Sequence, residues 1–126
     1  SPVGKADGFY MEVSTSDLKV KWFYFIGTEE DDYILDSTLV YVNGTPILYL
    51  VGKSQGDFQN LTNYGLSNDA FITAINLSNP AVPLWTNLEG GVGDQIAYSV
   101  SVDLQGNIYM VGETDAGFDG ELSFGG

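Results

Sequence analysis

Hydrophobic and polar positions alternate over residues 96–103. Ile96, Tyr98, Val100 and Val102 fall on one side of the pattern; Ala97, Ser99, Ser101 and Asp103 fall on the other. A period of two predicts a β-strand with one face of large residues and one of small or polar residues. The run from Asp103 to Asn107 then supplies turn chemistry, with Gly106 suited to a positive φ. A second β-rich run follows at Ile108, so the stretch predicts a hairpin. Similar runs over 9–13, 20–26, 34–42, 47–53, 71–76, 84–89, 96–103 and 108–114 predict eight strands. Gly, Asn, Pro and Asp fill the gaps, and no segment shows helical periodicity.

The strands repeat. Asp7 to Val13 matches Asp69 to Ile75 at an offset of 62, Trp22 matches Trp85 at 63, and Tyr49 to Gly52 matches Tyr109 to Gly112 at 60. The drift points to length changes in turns, with Thr45-Pro46 read as an insertion relative to Gly106-Asn107. Two units follow, 1–67 and 68–126, each with four short strands. Four strands per unit of this length predict all-β, antiparallel β-propeller blades.

The second unit carries Asn68 to Asn76, Leu84 to Gly91, Val102 to Thr114 and Phe118 to Gly126. These motifs closely resemble the SBBP-type β-propeller repeat, found in tandem in long secreted or cell-surface proteins. The likeness covers nearly the whole chain and is looser in the first unit, where Val42-Asn-Gly-Thr-Pro-Ile47 replaces the Asp-x-x-Gly-Asn turn. It implies a propeller fold and an extracellular setting, and it carries no catalytic residues to transfer. It also implies that the strand at 96–103 lies innermost in its blade and that at 84–89 outermost. On that order 6–27 holds two outer strands, 34–89 a complete blade and 96–114 two inner strands. Incomplete blades at both ends invite pairing with further repeats or other copies. Three chains of two blades would close a six-bladed ring; failure to close would give a filament.

Charge narrows the partners. Seventeen acids against four lysines give a net charge of −13, with no histidine and no cysteine. Nucleic acid and anionic membrane surfaces are disfavoured. Disulfides, cysteine zinc sites and histidine general bases are excluded. All four lysines precede residue 54, and residues from 64 onward hold eight acids and no base.

Several groups are candidate sites. Asp115, Asp119 and Glu121, around Gly117 and Gly120, resemble the opening of a calcium loop, although Gly117 replaces a ligand and the closing glutamate is absent. The acids from Glu29 to Asp32 read as a solvated turn, with cation binding as the alternative. Asn43, Asn60 and Asn76 begin glycosylation sequons at turns or strand ends. Trp22, Trp85 and Phe23 to Phe25 form either packing between sheets or a glycan-stacking surface. A glycosidase-like carboxylate pair is the remaining catalytic chemistry, and no pair stands out among the acids. The residues therefore predict a non-enzymatic structural or interaction module, with a glycan- or calcium-binding module as the alternative and a glycosidase or lyase fragment as a third reading.

Overall fold

The computed structural model describes residues 7–27, 31–55, 68–89 and 93–114. Eight strands and no helix lie in these spans: β1 (Gly8–Val13), β2 (Val20–Ile26), β3 (Asp32–Val42), β4 (Thr45–Ser54), β5 (Asp69–Asn76), β6 (Trp85–Glu89), β7 (Gln95–Val102) and β8 (Ile108–Thr114). They form three antiparallel sheets. Sheet I is β1–β2, sheet II is β3–β4–β5–β6, and sheet III is β7–β8. The fold is thus all-β, and among the described residues one complete four-stranded blade lies between two half-blades. Among the described residues no helix is long and apolar enough to cross a membrane.

Sheet II is covered on both faces. Phe71, Ile75, Leu50 and Leu88 bury against Tyr10 and Ile26 of sheet I. Val51, Ala70 and Ile72 bury against Ala97 and Val100 of sheet III. This explains why β5 is apolar on both sides, where an alternating strand would present one face to water. Burial of each large side chain here contributes about 1.5–3 kcal/mol. Polar links tie the sheets together as well. Tyr10 donates its hydroxyl to the Pro80 carbonyl at 2.6 Å, and the Asp94 carboxylate accepts from the Asn68 backbone and side chain at 2.9 and 3.1 Å.

The strict alternation expected over 96–103 is broken. The register of β7 on β8 shifts between Ala97 and Ser99, leaving Tyr98 as an extra residue. A β-bulge of this kind moves the residues beyond it to the opposite face. Ala97 and Val100 are therefore buried together against sheet II, while Tyr98 is exposed. The same bulge occurs in β3, between Ile34 and Asp36.

The first hairpin also differs from expectation. The first hairpin is longer than the second, as expected, but Thr45 and Pro46 lie in the ladder rather than in the turn. The β3–β4 ladder runs past the Leu39↔Leu48 pair by three further pairs, ending at Val42↔Thr45. Asn43 (φ 50°) and Gly44 (φ 81°) close it as a two-residue turn with both centres left-handed, the geometry favoured in tight hairpins. The second hairpin stops at Val102↔Ile108 and closes through Asp103 to Asn107. There the Asp103 carboxylate accepts from the Gln105 and Asn107 backbone, the Asn107 amide and the Tyr109 hydroxyl. The Asn107 side chain first, then the other donors, hold Asp103 below the usual carboxylate range. Gly106 takes φ 88°, as its place in the turn requires.

Candidate functional site

The predicted sites are scattered. Asp115, Asp119, Glu121 and the sequon residue Asn60 lie outside the described residues. Asn43 is exposed at its turn, and Asn76 ends β5 with its side-chain oxygen accepting from the Ser78 backbone. Of the acidic tract, Glu29 and Glu30 lie outside the described residues, and Asp32 departs from a solvated turn. It is 2% exposed at the start of β3 and accepts the Ser54 hydroxyl of β4. Strand pairing brings a donor 22 residues away in sequence to the carboxylate, which permits its burial. Among the described residues no cluster of three metal-ligating side chains occurs.

Trp22 packs with Tyr10 and Tyr24 against the sheet I–II core, at ring separations of 5.8 and 5.7 Å. Trp85 sits 6.0 Å from Tyr49 and is partly exposed. The outward face of sheet I is apolar: Phe9 stacks on Phe23 at 5.2 Å, Phe23 meets Phe25 edge-on at 5.0 Å, and Met11 and Val13 lie beside them. These five side chains all look away from sheet II, because their neighbours Tyr10, Trp22, Tyr24 and Ile26 face it.

The two half-blades reproduce the two halves of sheet II in register. In sheet I, Gly8↔Ile26, Tyr10↔Tyr24 and Glu12↔Trp22 pair; in sheet II, Ala70↔Glu89, Ile72↔Asn87 and Ala74↔Trp85 take the same places. In sheet III, Gln95↔Thr114, Ala97↔Gly112 and Ser99↔Val111 repeat Asp32↔Ser54, Ile34↔Gly52 and Asp36↔Val51. Even the bulge is backed alike. A Cβ on Gly52 would lie 1.8 Å from the Tyr33 carbonyl oxygen, and one on Gly112 would lie 1.8 Å from that of Ile96. Only glycine lets the partner backbone approach so closely.

Among the described residues β1 pairs only with β2, and β8 only with β7. Beside β8 is a cavity of about 310 Å³, lined by Ala70 and Glu89 of sheet II and by Ala97, Met110, Gly112 and Glu113 of sheet III, among others. Sequence reading did not find it, because relative sheet placement makes it; the repeated Val-Gly at 51–52 and 111–112 was the available signal. Its two carboxylates are both engaged. Asn87 donates its amide to Glu89, and Tyr98 donates its hydroxyl to Glu113 at 2.8 Å. That hydrogen bond, then burial, raises the Tyr98 hydroxyl above its usual pKa.

A four-stranded antiparallel sheet stacked between two two-stranded ones, with registers that recur from sheet to sheet, defines a protein of β-propeller-type blades. The family model for the SBBP beta-propeller repeat matches residues 84–119, which span β6, β7 and β8 and the residues just beyond. No curated protein and no solved structure matches the chain.

Proposed function

We propose that this chain is an extracellular, non-enzymatic structural module that assembles through its half-blades with further repeats or other copies. One observation carries the reading. Phe71 and Ile75 are fully buried in the complete blade, whereas their counterparts Phe9 and Val13 are 52% and 40% exposed on the half-blade. Apolar faces of this kind are interaction surfaces on soluble proteins. The extracellular setting is supported by the SBBP-type match and by the exposed Asn43 sequon.

The cavity that contains Glu89 and Glu113 has the composition of a carboxylate-pair hydrolase site. Two features favour an assembly role for it. Both carboxylates are tied to neighbouring side chains, and the corresponding volume between sheets I and II is occupied by Phe71 and its neighbours.

The mass of the particle in solution tests the proposal. Assembly predicts a concentration-dependent mass well above 13.6 kDa, as a closed ring if the rotation per copy completes a circle and as a filament if it does not. A 13.6 kDa particle at every concentration refutes assembly by copies of this chain.

A further inference from the structure

We infer that the cavity beside β8 seats Phe9 of a second copy of this chain, whose β1 adds to β8 in the register that β5 takes on β4. This rests on the assembly reading and specifies which edges meet and how. On the complete blade, Phe71 pairs with Gly52 and lies in a cluster with Leu50 and Ile26, with Ile34 packed against it. Gly8 lies at the same place, since a Cβ there would touch Ile34. Stepping one repeat along the chain turns Gly52 into Gly112, Leu50 into Met110, Ile34 into Ala97, Ile26 into Glu89 and Gly8 into Ala70. All five of these line the cavity.

The counterpart of Phe71 itself is Phe9, which points away from its own core and is half exposed. Among the described residues, the seat beside β8 holds no phenyl ring and the Phe9 ring has no seat. The β4–β5 ladder sets the expected pairs. Val51↔Ile72, Leu50↔Thr73 and Gly52↔Phe71 become Val111↔Tyr10, Met110↔Met11 and Gly112↔Phe9 across copies. Such strand addition unites two half-blades into a four-stranded sheet through main-chain hydrogen bonds, with side-chain fit giving specificity. Because the two surfaces differ, the contact is head-to-tail. Charge favours the same polarity. Lys19 and Lys21 flank and lie on β2 of the incoming half-blade, whereas residues from 64 onward carry acids and no base. The whole chain is at −13, so added salt should strengthen association by screening repulsion between copies.

The test uses full-length chains, which contain no native cysteine. Met11→Cys and Met110→Cys are made separately, mixed and oxidised. The expected product is a mixed disulfide dimer, formed more readily than by either variant alone. Replacing the partner by Leu104→Cys, at the fully exposed turn of sheet III, should abolish it, because disulfide formation needs Cα atoms about 4.4–6.8 Å apart. In parallel, Phe9→Glu should weaken self-association at least about tenfold, as loss of a buried aromatic anchor does. Leu104→Ser, at the fully exposed turn of sheet III, should leave it unchanged, with circular dichroism confirming that both variants keep their β structure. If copies associate but either the mixed dimer or the Phe9→Glu effect is missing, this interface is wrong and the assembly reading survives. If the chain stays at 13.6 kDa at every concentration, both fall, and the second copy is excluded as the occupant.

Discussion

Phe71 and Phe9 hold the same position in the repeat. Each pairs across its sheet with a large apolar residue, Leu88 or Phe25, and each sits two residues from another side chain on the same face. Phe71 is fully buried because sheet I covers it; Phe9 is half exposed because none of the described residues covers it. Burial in this molecule is thus set by whether a neighbouring blade is present. The sequence of the strand alone does not decide it. The largest expected effect follows directly. Phe71→Ala should cost about 3–5 kcal/mol of folding stability, the usual loss for a buried phenylalanine. Phe9→Ala, measured by denaturant unfolding at dilution where copies are separate, should cost less than about 1 kcal/mol. Equal losses would show that the outward face of sheet I is already covered in the single chain.

The bulges sharpen the comparison at a smaller scale. Gly52 and Gly112 both face a backbone carbonyl oxygen at a distance no Cβ can occupy. Backbone gives way less readily than a flexible side chain. Alanine at either site should therefore cost at least the roughly 1–3 kcal/mol typical of overpacking. Gly52→Ala should be the more damaging, since its strand pairs on both sides while β8 pairs on one among the described residues. A lowered melting temperature for both, larger for Gly52→Ala, is the expected result. An unchanged melt for Gly112→Ala would mean that the bulge in sheet III is not held by the close approach.

These positions also show what could be read in advance. Strand locations were legible because alternation and turn residues mark them: 20–26 and 108–114 coincide with β2 and β8, and 9–13 with β1 to within one residue. The turn at Gly106 was legible because few residues accept a positive φ. The bulge was not, because Tyr98 has the size expected of a strand residue on the large face. One extra residue reverses the facing without altering the composition. Its trace was the glycine in each Val-Gly pair, which by itself also fits an ordinary weak spot in a strand. Burial of Asp32 was hidden for a related reason, since its donor Ser54 is brought to it only by the β3–β4 ladder. The cavity beside β8 depends on how sheets II and III stack, a long-range property that local patterning does not encode.

The smallest effect concerns another pair of equivalent residues, Asp36 and Ser99. Asp36 lies on β3 and its carboxylate accepts the Val100 backbone N–H at 2.9 Å and the Ser99 hydroxyl at 3.1 Å, joining β3 of sheet II to β7 of sheet III. Ser99, in the same place on β7, is the donor in this link. The backbone N–H of Val100, followed by that of Ser37, holds the Asp36 carboxyl below its ordinary range. A depressed folded pKa means that the folded state favours the ionised form. The contribution is therefore complete above the unfolded value of about 3.9 and is lost as pH falls through the lower folded value. Asp36→Asn keeps an acceptor but removes the charge. Hydrogen bonds to charged groups contribute about 1.5–3 kcal/mol, and partial exposure of Asp36 reduces this to about 1 kcal/mol. Denaturant midpoints should separate wild type from Asp36→Asn by that amount at pH 7, and the gap should close as pH falls below the ordinary carboxylate range. Other carboxylates weaken both proteins alike in acid, so the difference isolates this one group. A gap that stays constant from pH 7 to pH 2 would mean that geometry, rather than the charge on Asp36, joins β3 to β7.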